Sequence, residues 1–344
     1  LGQVLDRAPV AALRAWNETA SRIASYSEIA HVQGDKPFEI DIRCVKDVAE
    51  KRRSEGLHRR WAGLDGQLYF PTALENPRLF SDQKAARQVL HQLQQLRRSA
   101  QLPTLPSPYY AVLLMDGDQL GKHMGEQTKQ QPISAALNQF TQKAGVIVRE
   151  HNGFLIYAGG DDVLALLPLD NALAAAAALQ ADYRAAFKVH CIDKGHDVQS
   201  TLSGAIEFVH IRTPLTRVLQ DAHQLLDDVA KDEVGRNAIA VRVWKPSGLA
   251  LQWAMPWEKA LDENGQVRIS AVAQQFAAQG NHAEDAEAAD ASARFSNKFF
   301  FRMQSLLQRF AGADEKTLEA LLLAEYLHSW GRLDKHTGMD MDTL

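Results

Sequence analysis

The chain has 344 residues, with 38 Lys and Arg against 42 Asp and Glu for a formal net charge of −4, and 46% hydrophobic, 23% charged and 8% aromatic residues. That balance describes a globular protein long enough for two or three domains, and it excludes a chain-wide positive field able to hold nucleic acid or a membrane by charge alone. Two cysteines, Cys44 and Cys191, are too few for a disulfide framework or for a four-ligand zinc site of their own, which fits a reducing, cytoplasmic setting, and no apolar run approaches the roughly 20 residues of a transmembrane helix.

Residues 1–105 read as a mixed helical and irregular region, with helical spacing in Val4–Ala15 and Ala85–Leu96 separated by turn-rich stretches at Gly34–Pro37 and Gly63–Gly66. Two basic, partly aromatic runs lie here, Lys51-Arg-Arg53 and His58-Arg-Arg-Trp61. They suit a solvated surface better than an RNA contact. The proline-rich stretch Leu102–Pro108 cannot continue a helix and marks a boundary near residue 106.

From Tyr109 the pattern changes. Tyr109–Met115 is a continuous apolar run of the kind that fills a central strand, and it ends at Asp116. Helical spacing follows in Ile133–Val148. Gly153–Tyr157 and Val163–Leu167 are two further apolar strands joined by Ala158-Gly-Gly-Asp-Asp162, which predicts a tight hairpin with acids at its tip. Asp170 is placed to cap a helix over Asn171–Phe187, and Thr201–Val209 alternates as a strand. Thr213 and Pro214 supply a helix start with Leu215, Val218, Leu219, Ala222, Leu225, Leu226 and Val229 on its buried stripe; Gly235 ends that helix, and Ala238–Trp244 is the last expected strand. The order predicts an α+β domain over 106–246, a mainly antiparallel sheet with helices covering one face. Residues 247–344 are expected to be a helical domain, entered through the acidic, Ala-rich stretch Gln279–Ala293 and continuing from Arg294 to Trp330, with an apolar stripe after Lys298-Phe-Phe-Phe-Arg302 that suits a core.

Two acidic clusters fall at the ends of neighbouring strands, Asp116-Gly117-Asp118 and Gly159-Gly160-Asp161-Asp162. Gathering three or four carboxylates at one sheet edge is costly unless cations neutralise them. Hard oxygen donors without nearby His or Cys favour Mg²⁺ or Mn²⁺, and Mg²⁺ held by carboxylates completes its shell with water and substrate phosphates, so the pattern points to nucleotide chemistry. A phosphate-cradling P-loop is excluded: Gly117 and Gly121-Lys122 are separated by three residues where that motif needs four, and His123 stands where Ser or Thr is required.

The set Met115-Asp-Gly-Asp-Gln-Leu-Gly-Lys122, Gly159-Gly-Asp-Asp162, Ser203-Gly204 and Ala230-Lys231 with Gly235-Arg236-Asn237 resembles the palm shared by GGDEF diguanylate cyclases and the large subunit of type III CRISPR effector complexes, and is most similar to the III-B (Cmr) form. The motif match covers residues 106–245, and Leu64–Phe70 extends it weakly upstream. The resemblance implies a ferredoxin-like palm that turns ATP into cyclic oligoadenylates, within a ribonucleoprotein complex of partner subunits, guide RNA and target RNA, in antiviral defence. It also implies site roles. Asp116, Asp118, Asp161 and Asp162 would hold two Mg²⁺ or Mn²⁺ per site, with Asp116, Asp161 and Asp162 catalytic. Gly117, Gly159 and Gly160 would admit the nucleotide, Lys231 would meet its triphosphate, and Ser203 would contact it. The chain lacks the His-Asp pair and the zinc cysteines that such subunits often carry, so no HD nuclease activity is expected; together with Leu1 in place of Met, this suggests part of a longer subunit. Two other readings compete: a GGDEF-like cyclase making a dinucleotide from GTP, and a nucleotide-binding scaffold without turnover.

Overall fold

The computed structural model describes residues 7–20, 66–80, 82–101, 107–270 and, between 302 and 330, all but 304, 307, 308 and 311. The basic runs at 51–61, Cys44 and the acidic stretch 279–293 lie outside the described residues. The chain forms two compact units, Leu1–Val267 and Arg268–Leu344.

In the first unit, helix α1 (Val10–Ala20), a 3₁₀ turn (Gly66–Tyr69), α2 (Pro71–Leu74) and α3 (Gln83–Ser99) precede the sheet. Asp82 caps α3 by accepting hydrogen bonds from the backbone N–H groups of Lys84 and Ala85 at 3.0 and 2.9 Å, and Arg97 and Arg98 in its last turn complement the helix dipole. Its stripe of Ala86, Val89, Leu93 and Leu96 shares a small core with Leu13, Trp16 and Ala20 of α1. The Trp16 and Tyr69 rings lie 4.6 Å apart there.

The sheet contains β1 (Tyr109–Gly117), β2 (Phe154–Gly159), β3 (Asp162–Leu167), β4 (Leu202–His210), β5 (Ala238–Lys245) and β6 (Gly248–Pro256), in the order β2-β3-β1-β4-β5-β6. Every neighbouring pair is antiparallel except β4 and β5. Between the strands come α4 (Leu120–Met124) and α5 (Gln127–Glu150) after β1, then α6 (Ala172–His190) after β3. α7 (Leu215–Gln224), continued by a π-helical stretch (Leu225–Glu233), follows β4, and the short α8 (Trp257–Ala260) follows β6. The α+β class and central β1 agree with the sequence expectation.

Helices cover both faces of the sheet rather than one. Ala111, Leu113 and Met115 of β1 pack with α5 and α6, whereas Val112 and Leu114 pack on the other side against α7 and the π-helical stretch. The reason was visible in β1 itself: a strand apolar at every position needs both faces buried. Small residues on α6, including Ala172, Ala175 and Ala176, are fully buried against that core. Asp170 is not the cap of α6, whose N-cap is Asn171.

The sheet also continues past the expected edge of the palm at residue 246. Lys245 pairs with Gly248 across a two-residue turn, and β6 runs back along β5. Leu249, Leu251, Trp253 and Met255 alternate as a strand should, and Pro246 occupies the turn with Ser247. In the second unit, α9 (Glu315–Trp330) follows Asp314, which accepts from the Thr317 N–H at 3.1 Å, and Arg302 pairs with Glu325 at 2.9 Å.

On the α7 face of β4, Glu207 is fully buried and neither carboxyl oxygen receives a hydrogen bond of normal geometry. Burial, reinforced by the hydrogen bond and negative charge of Asp221 and opposed by Arg242, pushes its pKa up to about 9. Asp221 is itself committed to Arg242 at 2.7 Å and to the Trp244 indole N–H at 2.6 Å, so Glu207 stays protonated beside an ion pair. An unfolded glutamate ionises from its ordinary pKa of 4.5. Between there and about 9 the folded chain holds a proton that the unfolded chain has lost, so stability falls with rising pH by at most about 1.4 kcal/mol per unit from this group. Glu207→Gln should flatten that slope and raise stability more at pH 8 than at pH 5. Urea denaturation at the two pH values checks it, and an unchanged slope would disprove a buried neutral Glu207.

Candidate active site

β1 delivers Asp116 and Gly117 to one edge of the sheet, and the β2–β3 hairpin delivers Asp161 and Asp162 beside them, since Met115 of β1 pairs with Val163 of β3. Gly159 pairs with Asp162, leaving Gly160 and Asp161 as the turn, with φ of +65° at Gly160 alone, as in a type II′ hairpin. The Thr141 hydroxyl on α5 donates to the Gly160 carbonyl at 3.3 Å and tethers the tip. Gly117 is required by proximity, because a Cβ there would stand 2.6 Å from both the Asp161 Cβ and the Tyr183 hydroxyl.

Carboxylate oxygens of Asp116, Asp161 and Asp162 lie within 4.8 Å of one another. Desolvation raises the Asp161 pKa, with Asp116 adding to it. Asp162 is pushed up to about 7 by desolvation first, then by hydrogen bonding to Asp116 and the charges of Asp116 and Asp161. Lys231 is the opposing cation. Its ammonium donates to Asp116 and to Asp227, the latter at 3.0 Å, and these partners outweigh its own desolvation, so its pKa rises. The π-helical stretch that carries Lys231 ends with the Val234 N–H donating to the carbonyl of Val229, five residues back, at 3.0 Å. Three convergent hard-oxygen donors, two with raised pKa values and one already neutralised by an ammonium, are a donor set that fits Mg²⁺ or Mn²⁺.

Asp118 behaves differently. It is 2% exposed and turned away from that group. Its carboxylate accepts from the Thr201 hydroxyl at 2.6 Å, from the Ser203 hydroxyl at 2.9 Å and from the Asn237 backbone N–H at 3.0 Å. Its own N–H donates to the Thr201 carbonyl at 2.7 Å, and its carbonyl accepts from the Ser200 hydroxyl at 2.9 Å. Ser200 in turn shares a 2.8 Å hydrogen bond with the buried Tyr183 hydroxyl under Gly117. The structure therefore gathers Asp116, Gly117, Gly159, Gly160, Asp161, Asp162 and Lys231 at one edge. It sets Asp118 and the fully buried Ser203 apart, as partners of each other. Residues that sequence reasoning left without a role are Tyr183, Ser200, Thr201 and Asn237. Only Asn237 carried a signal, as the last residue of the Gly235-Arg236-Asn237 segment in the resemblance; in the structure all three adopt positive φ.

Residues 109–240 match the family described as Cas10/Cmr2, second palm domain. A stretch of 181 residues is 34% identical to the CRISPR system Cmr subunit Cmr2 of Pyrococcus furiosus, over 44% of this chain and 20% of that protein. Another of 41 residues is 51% identical to the CRISPR system CMR subunit Cmr2 of Saccharolobus solfataricus, over 12% of this chain and 4% of that one. In fold, the chain is similar to one in the type III-B Cmr-beta structure bound to cognate target RNA, with a TM-score of 0.51 at 15% identity over 99% of this chain and 44% of that one. The chain thus spans less than half the length of the relatives it matches. The family match falls within residues 106–245, the stretch that carries the GGDD resemblance.

The two kinds of carboxylate are separable by experiment. Without divalent metal, Asp162→Asn should raise the melting temperature by removing like-charge repulsion, and it should weaken the stabilisation that wild type gains on adding Mg²⁺. Asp118→Ala should cost about 2–4 kcal/mol with or without metal, because buried donors lose a charged acceptor. Thermal and urea denaturation with and without MgCl₂ read both. Equal behaviour of the two variants would contradict the division.

Proposed function

We propose that this chain, which carries a Cas10/Cmr2 palm, acts in the large subunit of a type III CRISPR effector complex and converts ATP to cyclic oligoadenylates when target RNA is bound. The observation that carries the proposal is the convergence of Asp116, Asp161 and Asp162 on Lys231 at the open end of that palm. Guide and target RNA would be met through partner subunits, in keeping with the absence of a net positive field and with the RNA-bound Cmr-beta relative.

Asp116, Asp161 and Asp162 would hold the two divalent cations. Bound Mg²⁺ or Mn²⁺ supplies the positive charge that offsets the attacking and leaving oxygens of a phosphoryl centre. The remaining work falls to the chain itself. Asp118, with Thr201, Ser203 and Asn237, holds the strand ends that aim the carboxylates. Lys231 exchanges Asp116 for the triphosphate of the incoming nucleotide, so its ammonium stays paired throughout. The ribose 3′-hydroxyl of one ATP attacks the α-phosphorus of a second. A new phosphorus–oxygen bond forms as the bond to the β-phosphate oxygen breaks, pyrophosphate leaves, and the hydroxyl proton passes to water.

The assembled complex, given ATP, Mg²⁺ and target RNA, should yield cyclic oligoadenylate detectable by mass spectrometry. Replacing Asp161 and Asp162 together by Ala should lower the yield by about a hundredfold or more, the scale of losing preorganised electrostatic stabilisation. Turnover of GTP in preference to ATP would favour a dinucleotide cyclase. No nucleotide product, with complex assembly and RNA binding intact, would favour a scaffold.

A further inference from the structure

The hairpin that carries Asp161 and Asp162 also seats an aromatic residue for which the proposed chemistry has no use. β2 pairs with β3 at Leu155↔Ala165, but the following pairs are Tyr157↔Leu164 and Ala158↔Val163, so Ile156 is an inserted bulge residue. In an unbroken ladder Tyr157 would face Val163 and point into the core under α5 and α6. The bulge re-aims it, placing it opposite Leu164, which pairs with Leu114 of β1. Asp116 alternates onto the same face as Leu114, as Asp162 does with Leu164, so Tyr157, Gly159, Asp162 and Asp116 share one face of the sheet.

Three further facts bear on this tyrosine. It is 54% exposed at the hairpin. Among the described residues its hydroxyl makes no hydrogen bond. Its phenol end lies against Gly159, where a Cβ would stand 2.2 Å from the hydroxyl oxygen and 2.5 Å from Cζ. Gly159 has no positive φ, so it is the tyrosine and not the backbone that excludes a side chain there. A bulge and a glycine thus cooperate to hold an aromatic ring out of the core, next to carboxylates suited to metal-bound phosphates. Every nucleobase offers a π-face to such a ring.

We propose that Tyr157, seated on Gly159, is the stacking platform for the base of the bound nucleotide, a positioning residue that holds the purine while the phosphates face Asp116, Asp161, Asp162 and Lys231. This rests on the nucleotide reading of the site. The test titrates the full chain, in Mg²⁺, with the fluorescent analogue 2-aminopurine riboside triphosphate and separately with inorganic tripolyphosphate, which has no base. Wild type should bind both and quench the analogue. Tyr157→Leu should bind the analogue about tenfold more weakly and lose the quench while holding tripolyphosphate as wild type does, and Tyr157→Phe should retain both properties. If Tyr157→Leu binds and quenches as wild type, or loses tripolyphosphate equally, the platform is overturned and the nucleotide reading stands. If wild type binds neither probe, or if Asp161→Asn with Asp162→Asn leaves both titrations unchanged, the nucleotide reading falls and the platform with it.

Discussion

The site depends on one buried carboxylate. Asp118 sits just past the end of β1, is almost wholly removed from water, and is satisfied there because hydroxyls of Thr201 and Ser203 and the Asn237 N–H all donate to it. Each charge-assisted bond is worth about 1.5–3 kcal/mol, and leaving any donor unpaired costs comparable amounts, so the arrangement is all or nothing. It draws together the end of β1, the start of β4 and the residue before β5. It fixes the end of β1, which carries Asp116, while Asp161 and Asp162 reach Asp116 from the other side through the pairing of β3 with β1.

The fold contains three solutions to the same problem of keeping an acid out of water. Asp118 has its carboxylate oxygens satisfied by hydrogen bonds. Glu207, fully buried on the α7 face of β4, gives its charge up and remains neutral beside the Asp221–Arg242 pair. Asp116, Asp161 and Asp162 do neither completely: their environment raises the pKa values of Asp161 and Asp162, and Lys231 covers Asp116 alone. The first two solutions leave nothing for a ligand to improve. The third leaves unbalanced negative charge that an added cation relieves, which is the physical distinction between a structural and a binding carboxylate in one domain.

Much of this was legible from residues alone, for particular reasons. The apolar run of β1 ending in Asp116, and the paired glycines before Asp161 and Asp162, are local signals in which residue type and spacing carry the structure. The misplacements were long-range. Asp118 and Asp116 are two residues apart in a favoured turn composition, and nothing local says that one turns inward to Ser203 and the other outward to Lys231; that choice is made by Thr201 and Asn237, more than eighty residues away. The second helical layer was implied by a strand apolar on both faces, yet a helical stripe does not state which face of a sheet it will cover. β6 lies beyond residue 246, where the palm was expected to end, although Leu249, Leu251, Trp253 and Met255 alternate as a strand does.

The topology explains why residues so far apart in the chain meet at one edge. β3 and β4 both run antiparallel to β1, so both begin where β1 ends. The hairpin tip before β3 and the residues Ser200 to Ser203 entering β4 therefore fall beside Asp116. β5 runs parallel to β4, so it too begins at that edge, and the connection leading into it must return there after crossing the sheet. That connection is α7 with its π-helical continuation, whose last turn carries Lys231 and whose exit, Gly235-Arg236-Asn237, supplies a donor to Asp118. With helices on both faces of the sheet, the polar groups are left to collect at its ends. One end receives the finish of β1 and β2 and the start of β3, β4 and β5, together with the end of a helix, so acids and a lysine at a few separate places in the chain are enough to build a single site. The parallel pair is the step that cannot be dispensed with: were β5 antiparallel to β4, Lys231 and Asn237 would enter at the opposite edge, leaving Asp116 without a countercharge and Asp118 without its backbone donor.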